Sequence, residues 1–422
     1  MIAAATVTVV KLPWGAWYQD ARHPLELPDH WSVDVLAPQD APACCSEDIR
    51  EAIRSPIGCP PLAELARGRR SACVVVDDLA RPTLAAGILP FVLRELEEAG
   101  IAKGTVAIVV ATGSHARLGE RQLKWKVGPE TFAEYRVECH DCRNGLAATG
   151  IEYGDRKLRI NRTFFEAEVK IAIGSVLPHS FAGYSGGAKL VLPGLSDLEA
   201  TARSHKFVQL GLRGGTDPNE NRFRLEAEDL ARRVGLAFAV CVATNSRRET
   251  AAVFAGDVTA AHRQACAAAA AVFRTELHRE YDCVFLNAYP KDVDLIQAEN
   301  VFVALKTAKS PVVHDGGVIV VTSAASEGIG RHGLFEPGGA GYRKPARKRA
   351  LGDRELWLYA PAVATGDARR LYWEGYPVFQ SASELNAALA RRFPDRAEVG
   401  VFPCAPMQQV ADLRRSCPDA CK

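Results

Sequence analysis

Three short polar clusters carry the residue types from which acid–base chemistry and anion binding are built. Asp77-Asp78-Leu-Ala-Arg81-Pro82-Thr83 sets two carboxylates beside a guanidinium, and Thr112-Gly113-Ser114-His115 places an imidazole in a glycine loop. The third, Pro178-His179-Ser-Phe-Ala-Gly183-Tyr-Ser185-Gly186-Gly187-Ala-Lys189, joins a second imidazole to a glycine-rich turn and an amine. Histidine exchanges protons near neutral pH, arginine grips a carboxylate through two parallel N–H bonds, and a desolvated lysine is a nucleophile. Each cluster also has a plain structural reading. Asp77 and Asp78 can cap a helix or a turn, Arg81 can be a surface residue, and His205 can be an ordinary helical histidine. His115 stands evenly between the two readings, whereas His179, among aromatics and glycines, reads as functional.

Other local motifs carry less. Ser185–Lys189 has the look of a phosphate loop, but Ala188 precedes Lys189 and Leu190 follows it, so the Walker pattern fails. Its glycines still let backbone N–H groups approach an anion closely. Gly328-Ile-Gly330-Arg-His-Gly333 fits GxGxxG but lies several residues past its strand, and it reads as a flexible loop. Cys139-His-Asp-Cys142 has no second pair of matching spacing, which leaves a structural zinc site unsupported and a redox pair as a weak reading. The twelve cysteines are scattered, many inside apolar runs, where a free thiol behaves as a small hydrophobe.

The elements that position these clusters follow from the hydrophobic pattern. ACVVV (72–76), TVAIVVAT (105–112) and VKIAIGSV (169–176) are continuous apolar runs, and each cluster begins where one ends. Such runs suit parallel strands covered on both faces, and ligands of open α/β sheets bind outside the strands' carboxyl ends. If the three strands are neighbours, their loops face one crevice. Helices are expected over 84–100, 119–128, 221–235 and 256–277, and another begins at a Ser196-x-x-Glu199 capping box, placing His205 toward its end. Further strands are expected over 236–244, 282–288, 316–324 and 356–363, a first strand near residues 1–15, and a loop over 337–354.

A chain of 422 residues exceeds one ordinary core. The expectation is two α/β domains with mainly parallel sheets and an active-site cleft between them. Residues 1–268 would form a cofactor-binding and catalytic domain, rejoined by 396–422, and residues 269–395 would close over the substrate. The net charge of +2 gives no electrostatic case for a nucleic-acid or membrane partner. The N-terminal run lacks a basic leader and no apolar stretch is long enough to span a bilayer, so a cytoplasmic enzyme is expected.

Taken in order, DDLARPT, ATGSH, PHSFAGYSGGAKLVLPGL and the following Ser204-His205 resemble the lactate racemase family of nickel-pincer enzymes. TDPNENRFR, AGDVTAAH and NAYPKDVDLIQA extend the likeness over most of residues 70–300, and it fades from about residue 330. The resemblance implies racemisation or epimerisation of a 2-hydroxy acid by reversible hydride transfer to a nickel-pincer nucleotide. It implies that Lys189 holds that group covalently, that His205 binds nickel, and that His115 and His179 are the acid–base pair. Arg81 would grip the substrate carboxylate, Gln297 would contact the substrate from the second domain, Asp77 would support the site, and Ser185, Gly186 and Gly187 would lie against the cofactor. Enzymes that build the cofactor would be partners.

The chemistry suits these types. Taking hydride from Cα leaves a flat keto acid that can be re-reduced on either face, and two histidines serve the two enantiomers. Imidazole nitrogen also suits nickel. Two departures stand out. Ile296 replaces the family's aromatic and Asn300 its lysine, which favours a 2-hydroxy acid other than lactate, with Lys291 or Lys306 as substitute cations. The C-terminal third is unfamiliar. An NAD-dependent hydroxy-acid dehydrogenase and a non-catalytic binding homologue are the alternatives.

Overall fold

The computed structural model describes residues 7–15, 21–344, 348, 351–371 and 375–413. Within them the chain forms two compact units. One comprises residues 41–272 with His332–Leu334, and the other residues up to 40, 273–331 and 335 onward.

The first unit is built on six strands, β1 (Ala72–Asp77), β2 (Val106–Ala111), β3 (Arg136–Cys139), β4 (Val169–Ser175), β5 (Phe238–Thr244) and β6 (Thr250–Gly256). Their order is β6-β5-β4-β1-β2-β3. All pairings are parallel except β5 with the edge strand β6. Every residue of β1 is buried, because side chains alternate between two covered faces. Val74 and Val76 pack with Ile49, Leu62, Leu89 and Val92 on one face. Cys73 and Val75 pack with Phe164, Leu192 and Phe223 on the other. Each such Val or Leu contributes roughly 1.5–3 kcal/mol by leaving water. The chain passes from β1 to β2 on one side and returns as β4 on the other. The carboxyl ends of β4, β1 and β2 are therefore adjacent, and the three polar loops issue side by side, as the crevice argument requires.

The second unit holds six parallel strands in the order Val378–Phe379, Glu355–Tyr359, Val313–Thr322, Tyr281–Asn287, Glu398–Phe402 and Ser32–Val35. An antiparallel hairpin, Val7–Trp14 with Ala21–Pro28, belongs to it. The division corrects the expected 1–268 plus 396–422. The N-terminal segment and residues 398–402 both join the second sheet, and the boundary falls at Val272/Phe273. Register explains why. Val399 pairs with Cys283 and Val401 with Phe285, and all four are buried in a core with Leu12, Leu25, Leu27 and Trp31. The helix expected to run to 277 stops at Val272, since Arg274–Leu277 is a strand paired with Gln409–Asp412. Parts of three expectations lie outside the described residues: 1–6 of the first strand, 345–347, 349 and 350 of the loop, and 414–422 of the returning tail. Among the described residues no helix is long and apolar enough to cross a membrane.

Candidate active site

A buried ion pair forms the floor of the site. The Lys126 side chain, on the helix Glu120–Val127, is fully shielded from solvent. Its Nζ donates to Asp77 Oδ1 at 2.8 Å, to the Thr83 carbonyl at 3.1 Å and to the Asp78 carbonyl at 3.3 Å. The other Asp77 oxygen accepts from Thr83 Oγ1 at 2.5 Å, from the Ser175 N–H at 2.9 Å and from Ser175 Oγ at 3.3 Å. Asp77 thus ties the ends of β1 and β4 to the loop that carries Arg81. Sequence reading missed Lys126, because nothing in a short amphipathic helix marks one lysine as inward-facing.

The loop after β2 is held from below. Thr112 Oγ1 donates to the His140 carbonyl at 3.0 Å, and His140 Nε2 donates to the Ser196 carbonyl at 3.1 Å. The Cys139–Cys142 segment is therefore a buttress of this loop. His115 Nδ1 makes a close hydrogen bond to Asp78 Oδ2. Burial by itself would raise the Asp78 carboxyl. The His115 charge and hydrogen bond, followed by Arg81 and Lys126, outweigh it and hold that group well below the usual carboxylate range. With Nδ1 bonded to the carboxylate, any proton exchange at His115 would run through Nε2. Asp78 is the orienting group that sequence reading left as a cap, and its adjacency to Asp77 after a buried strand was the only signal.

His332 also faces this loop, and sequence reading assigned it only to a flexible glycine segment. Its ring centroid lies 4.8 Å from that of His115, and the residue is 5% exposed.

The glycine-rich turn is clamped by two deeply buried residues. Arg224 donates to the carbonyls of Gly186, at 3.0 Å, and Tyr184. His262 Nε2 donates to the Ser185 carbonyl at 2.8 Å. The Ser185 hydroxyl is spent on the Ser175 carbonyl at 2.7 Å and the Leu177 N–H at 2.9 Å. Gly186 has φ +76°, and a Cβ there would sit 3.0 Å from the Ser175 carbonyl oxygen. This tight path turns Lys189 inward. Burial foremost, then the charges of Arg81 and Arg224, pushes the Lys189 amine well below its ordinary value, with Asp78 partly opposing. It is a neutral amine more readily than a surface lysine is.

His205 ends the helix Leu198–His205. The N-cap is Asp197, which accepts from the Glu199 and Ala200 N–H groups. The expected capping box is therefore displaced by one residue, since Ser196 Oγ turns back to the Val191 carbonyl. His205 Nδ1 donates to the Thr201 carbonyl at 2.8 Å, which keeps a lone pair on Nε2. Burial, opposed by that carbonyl, pushes its pKa down to about 4, so the ring is neutral near pH 7. A backbone carbonyl fixing one nitrogen while the other binds is the usual arrangement of a metal-ligating histidine. Among the described residues no three His, Cys, Asp or Glu side chains gather as a metal site.

An open cavity collects these groups. Of the residues singled out from the sequence, Asp77, Arg81, His115, Ser185, Gly186, Lys189 and His205 line it, joined by Asp78, Ser114, Thr201 and His332. Gly187 lies behind the turn against the His262 ring. His179 is set back in the two-residue ladder Pro178–His179/Gly183–Tyr184. Its ring packs edge-on to Phe181 at 4.8 Å. Phe181 in turn meets His205 at 5.2 Å, with Lys189 Nζ 5.9 Å from its ring centre.

Gln297 belongs to the other unit, on the helix Leu295–Ala298 capped by Asp294. There, buried Lys291 donates to Asn300 Oδ1 at 3.3 Å, and Asn300 donates to the Gln297 carbonyl at 2.8 Å. Of the two substitute cations, Lys291 is thus placed beside Asn300, while Lys306 is exposed. The GxGxxG segment is followed by turns and opens no helix.

The residues fit the group implied by resemblance. They provide an imidazole whose Nδ1 is fixed by a backbone carbonyl, a buried amine held well below its ordinary value, and a guanidinium on one wall. A family model described as the lactate racemase N-terminal domain matches residues 18–213. The lactate racemase of Thermoanaerobacterium thermosaccharolyticum is 28% identical over 302 residues, covering 68% of this chain and 68% of that protein. The lactate racemase of Lactiplantibacillus plantarum is 29% identical over 301 residues, with 68% of each covered. In fold, the apoprotein of the Thermoanaerobacterium enzyme superposes with a TM-score of 0.74 at 22% identity, over 96% of this chain and 100% of that one. A protein from Thermotoga maritima does so with a TM-score of 0.65 at 15% identity, over 88% and 99%. The motifs and these relatives make the chain similar to lactate racemases, and its fold is that of the lactate racemase apoprotein.

Proposed function

We propose that this protein is a cytoplasmic racemase or epimerase of a 2-hydroxy acid that works with a nickel-pincer nucleotide. The observation that carries the reading is the single cavity uniting Arg81, the His115–Asp78 pair, Lys189 and His205. Lys189 would hold the nucleotide through its amine, and His205 would bind nickel through Nε2. When bound, the pyridinium ring of that group supplies the acceptor for the hydrogen and electron pair leaving Cα.

The chain's own residues do the remaining work. Arg81 holds the substrate carboxylate in a two-point grip that fixes C2 while its substituents change. His115, oriented by Asp78, takes the C2 hydroxyl proton at Nε2 and returns it. His179 is the proposed partner base for the opposite enantiomer, and Gln297, in the other unit, the proposed amide contact to substrate. Ser185–Gly187 shape the turn that presents Lys189. Asn300 and Ile296 in place of the family's lysine and aromatic favour a substrate other than lactate. Enzymes that make the nucleotide are the expected partners.

Intact mass and nickel content of protein co-expressed with cofactor-building enzymes test this. A mass gain of one pincer nucleotide on the Lys189 peptide, with about one nickel per chain, is expected. Racemisation of a chiral 2-hydroxy acid by that loaded protein, followed by polarimetry, is expected alongside. A folded protein of unmodified mass without nickel would overturn the reading.

A further inference from the structure

We propose that Arg224 is a positioning residue for Lys189: from behind the glycine-rich turn its guanidinium holds the carbonyl that starts the Lys189 turn and sets an unpaired positive charge near the amine. The inference rests on the reading of Lys189 above and concerns what keeps that amine reactive.

The bonds are specific. Arg224 lies in the first turn of the helix Arg222–Arg233, whose cap Asn221 accepts from its N–H at 2.9 Å and donates to the Phe181 carbonyl at 2.9 Å. The Gly186 carbonyl that receives Arg224 Nη1 also accepts the Lys189 N–H at 3.3 Å. One oxygen therefore joins the guanidinium to the backbone of the lysine. Residues Gly187–Leu190 turn from that point, and Ala188 and Leu190 pack in one core with Phe223, Ala227 and Leu230 of the same helix.

The charge is the unusual part. Arg224 is 0% exposed, and arginine stays protonated in proteins. Among the described residues no carboxylate pairs with it, and its Nε has no hydrogen-bond partner. Glu228, one turn along the helix, is taken by Arg263 through bonds of 2.7 and 2.9 Å. The first turn of a helix also disfavours a cation. Burying a charge without a counter-ion is costly, and a neutral donor would serve the carbonyls. His262, pushed well below its ordinary value by burial foremost, holds the adjoining Ser185 carbonyl uncharged.

What a cation adds is its field. Asp77, Asp78, Arg81, His115, His205 and His332 share the cavity with Lys189. Of these, Asp77 is paired with Lys126 and Asp78 with His115. Arg81 and Arg224 act against an ammonium at Lys189, with Asp78 partly opposing. An amine bonds to carbon only through its lone pair, so a cation fixed behind the turn keeps Lys189 a nucleophile.

Cofactor-free wild type, Arg224→Gln and Arg224→Lys are acetylated with N-hydroxysuccinimidyl acetate over a pH series. Mass spectrometry follows the peptides of Lys189 and of exposed Lys124. In this reaction the Nζ lone pair forms the N–C bond, the succinimidyl oxide leaves with its electron pair, and Nζ releases one proton. The pH midpoint of labelling reports protonation, whereas a displaced turn changes only the plateau. Wild-type Lys189 is expected to reach its midpoint at lower pH than Lys124. Arg224→Gln should raise the Lys189 midpoint by about one pH unit, roughly a tenfold slower labelling at pH 7. Arg224→Lys keeps the charge and should restore the wild-type midpoint. Circular dichroism confirms that each folds. Should Arg224→Gln not fold, Arg263→Gln frees Glu228 to pair with Arg224 and should move the midpoint in the same direction. An unchanged midpoint in the folded one of these two, or a rise in Arg224→Lys equal to that in Arg224→Gln, overturns the role of Arg224. The labelling needs no cofactor, so a missing nucleotide adduct on Lys189 would overturn the functional reading alone.

Discussion

Lys126→Met tests whether the site's floor is held by charge pairing. The Lys126 side chain is 0% exposed and that of Asp77 8%. Methionine has nearly the length of the lysine stem, so the packing volume is kept and the ammonium is lost. Asp77 then retains Thr83 and Ser175 as donors but no counter-ion. Removing one partner of a buried ion pair leaves an uncompensated charge and costs about 3–5 kcal/mol. That is a large share of the 5–15 kcal/mol typical of a domain. The variant's urea midpoint should fall accordingly in cofactor-free protein followed by circular dichroism, with an unchanged slope. Asp77→Asn in the same background removes the stranded charge and should recover at least about 1 kcal/mol, a coupling between contacting residues. A Lys126→Met midpoint within about 0.5 kcal/mol of wild type, the range of an ordinary surface substitution, would refute the reasoning.

Further outcomes follow from the same geometry. His205→Ala should lose nickel while keeping its fold, read by elemental analysis of purified protein; a full nickel complement would remove His205 as ligand. Lys189→Arg should show no covalent mass gain after co-expression, and a persisting adduct would place the attachment elsewhere. Gly187→Ala puts a methyl 3.1 Å from the His262 ring at φ +56° and should cost at least about 1 kcal/mol in denaturant unfolding. Buried His140 is held down to about 4, by burial foremost with the Ser196 carbonyl opposing. Because its folded pKa is depressed, the unfolded chain binds the proton first. Stability present above pH 6.5 is then lost toward pH 4 by about 1.4 kcal/mol per unit from this residue. A His140→Gln variant should lose that portion of the slope in urea melts between pH 7 and 5, and an unaltered slope would show that the ring is not buried neutral.

The sequence by itself determined the sheet of the first unit and the three loops at its carboxyl edge. Continuous apolar runs such as Ala72–Val76 have no other stable home than a strand covered on both faces, and a polar cluster ending such a run must emerge at the strand's end. Arg81, His115, Lys189 and His205 were legible because each lies within a few residues of that edge or on the helix following it. Only the tertiary structure decided what those residues touch. Lys126 pairs with Asp77 from 49 positions away and His332 meets Ser114 from 218 positions away. No local periodicity encodes a contact of that range. The path of the N-terminal segment and of Glu398–Phe402 was hidden for a related reason. Short strands bury the same valines against either sheet equally well by pattern, and only register, with Val399 opposite Cys283 and Val401 opposite Phe285, selects the one that closes the core.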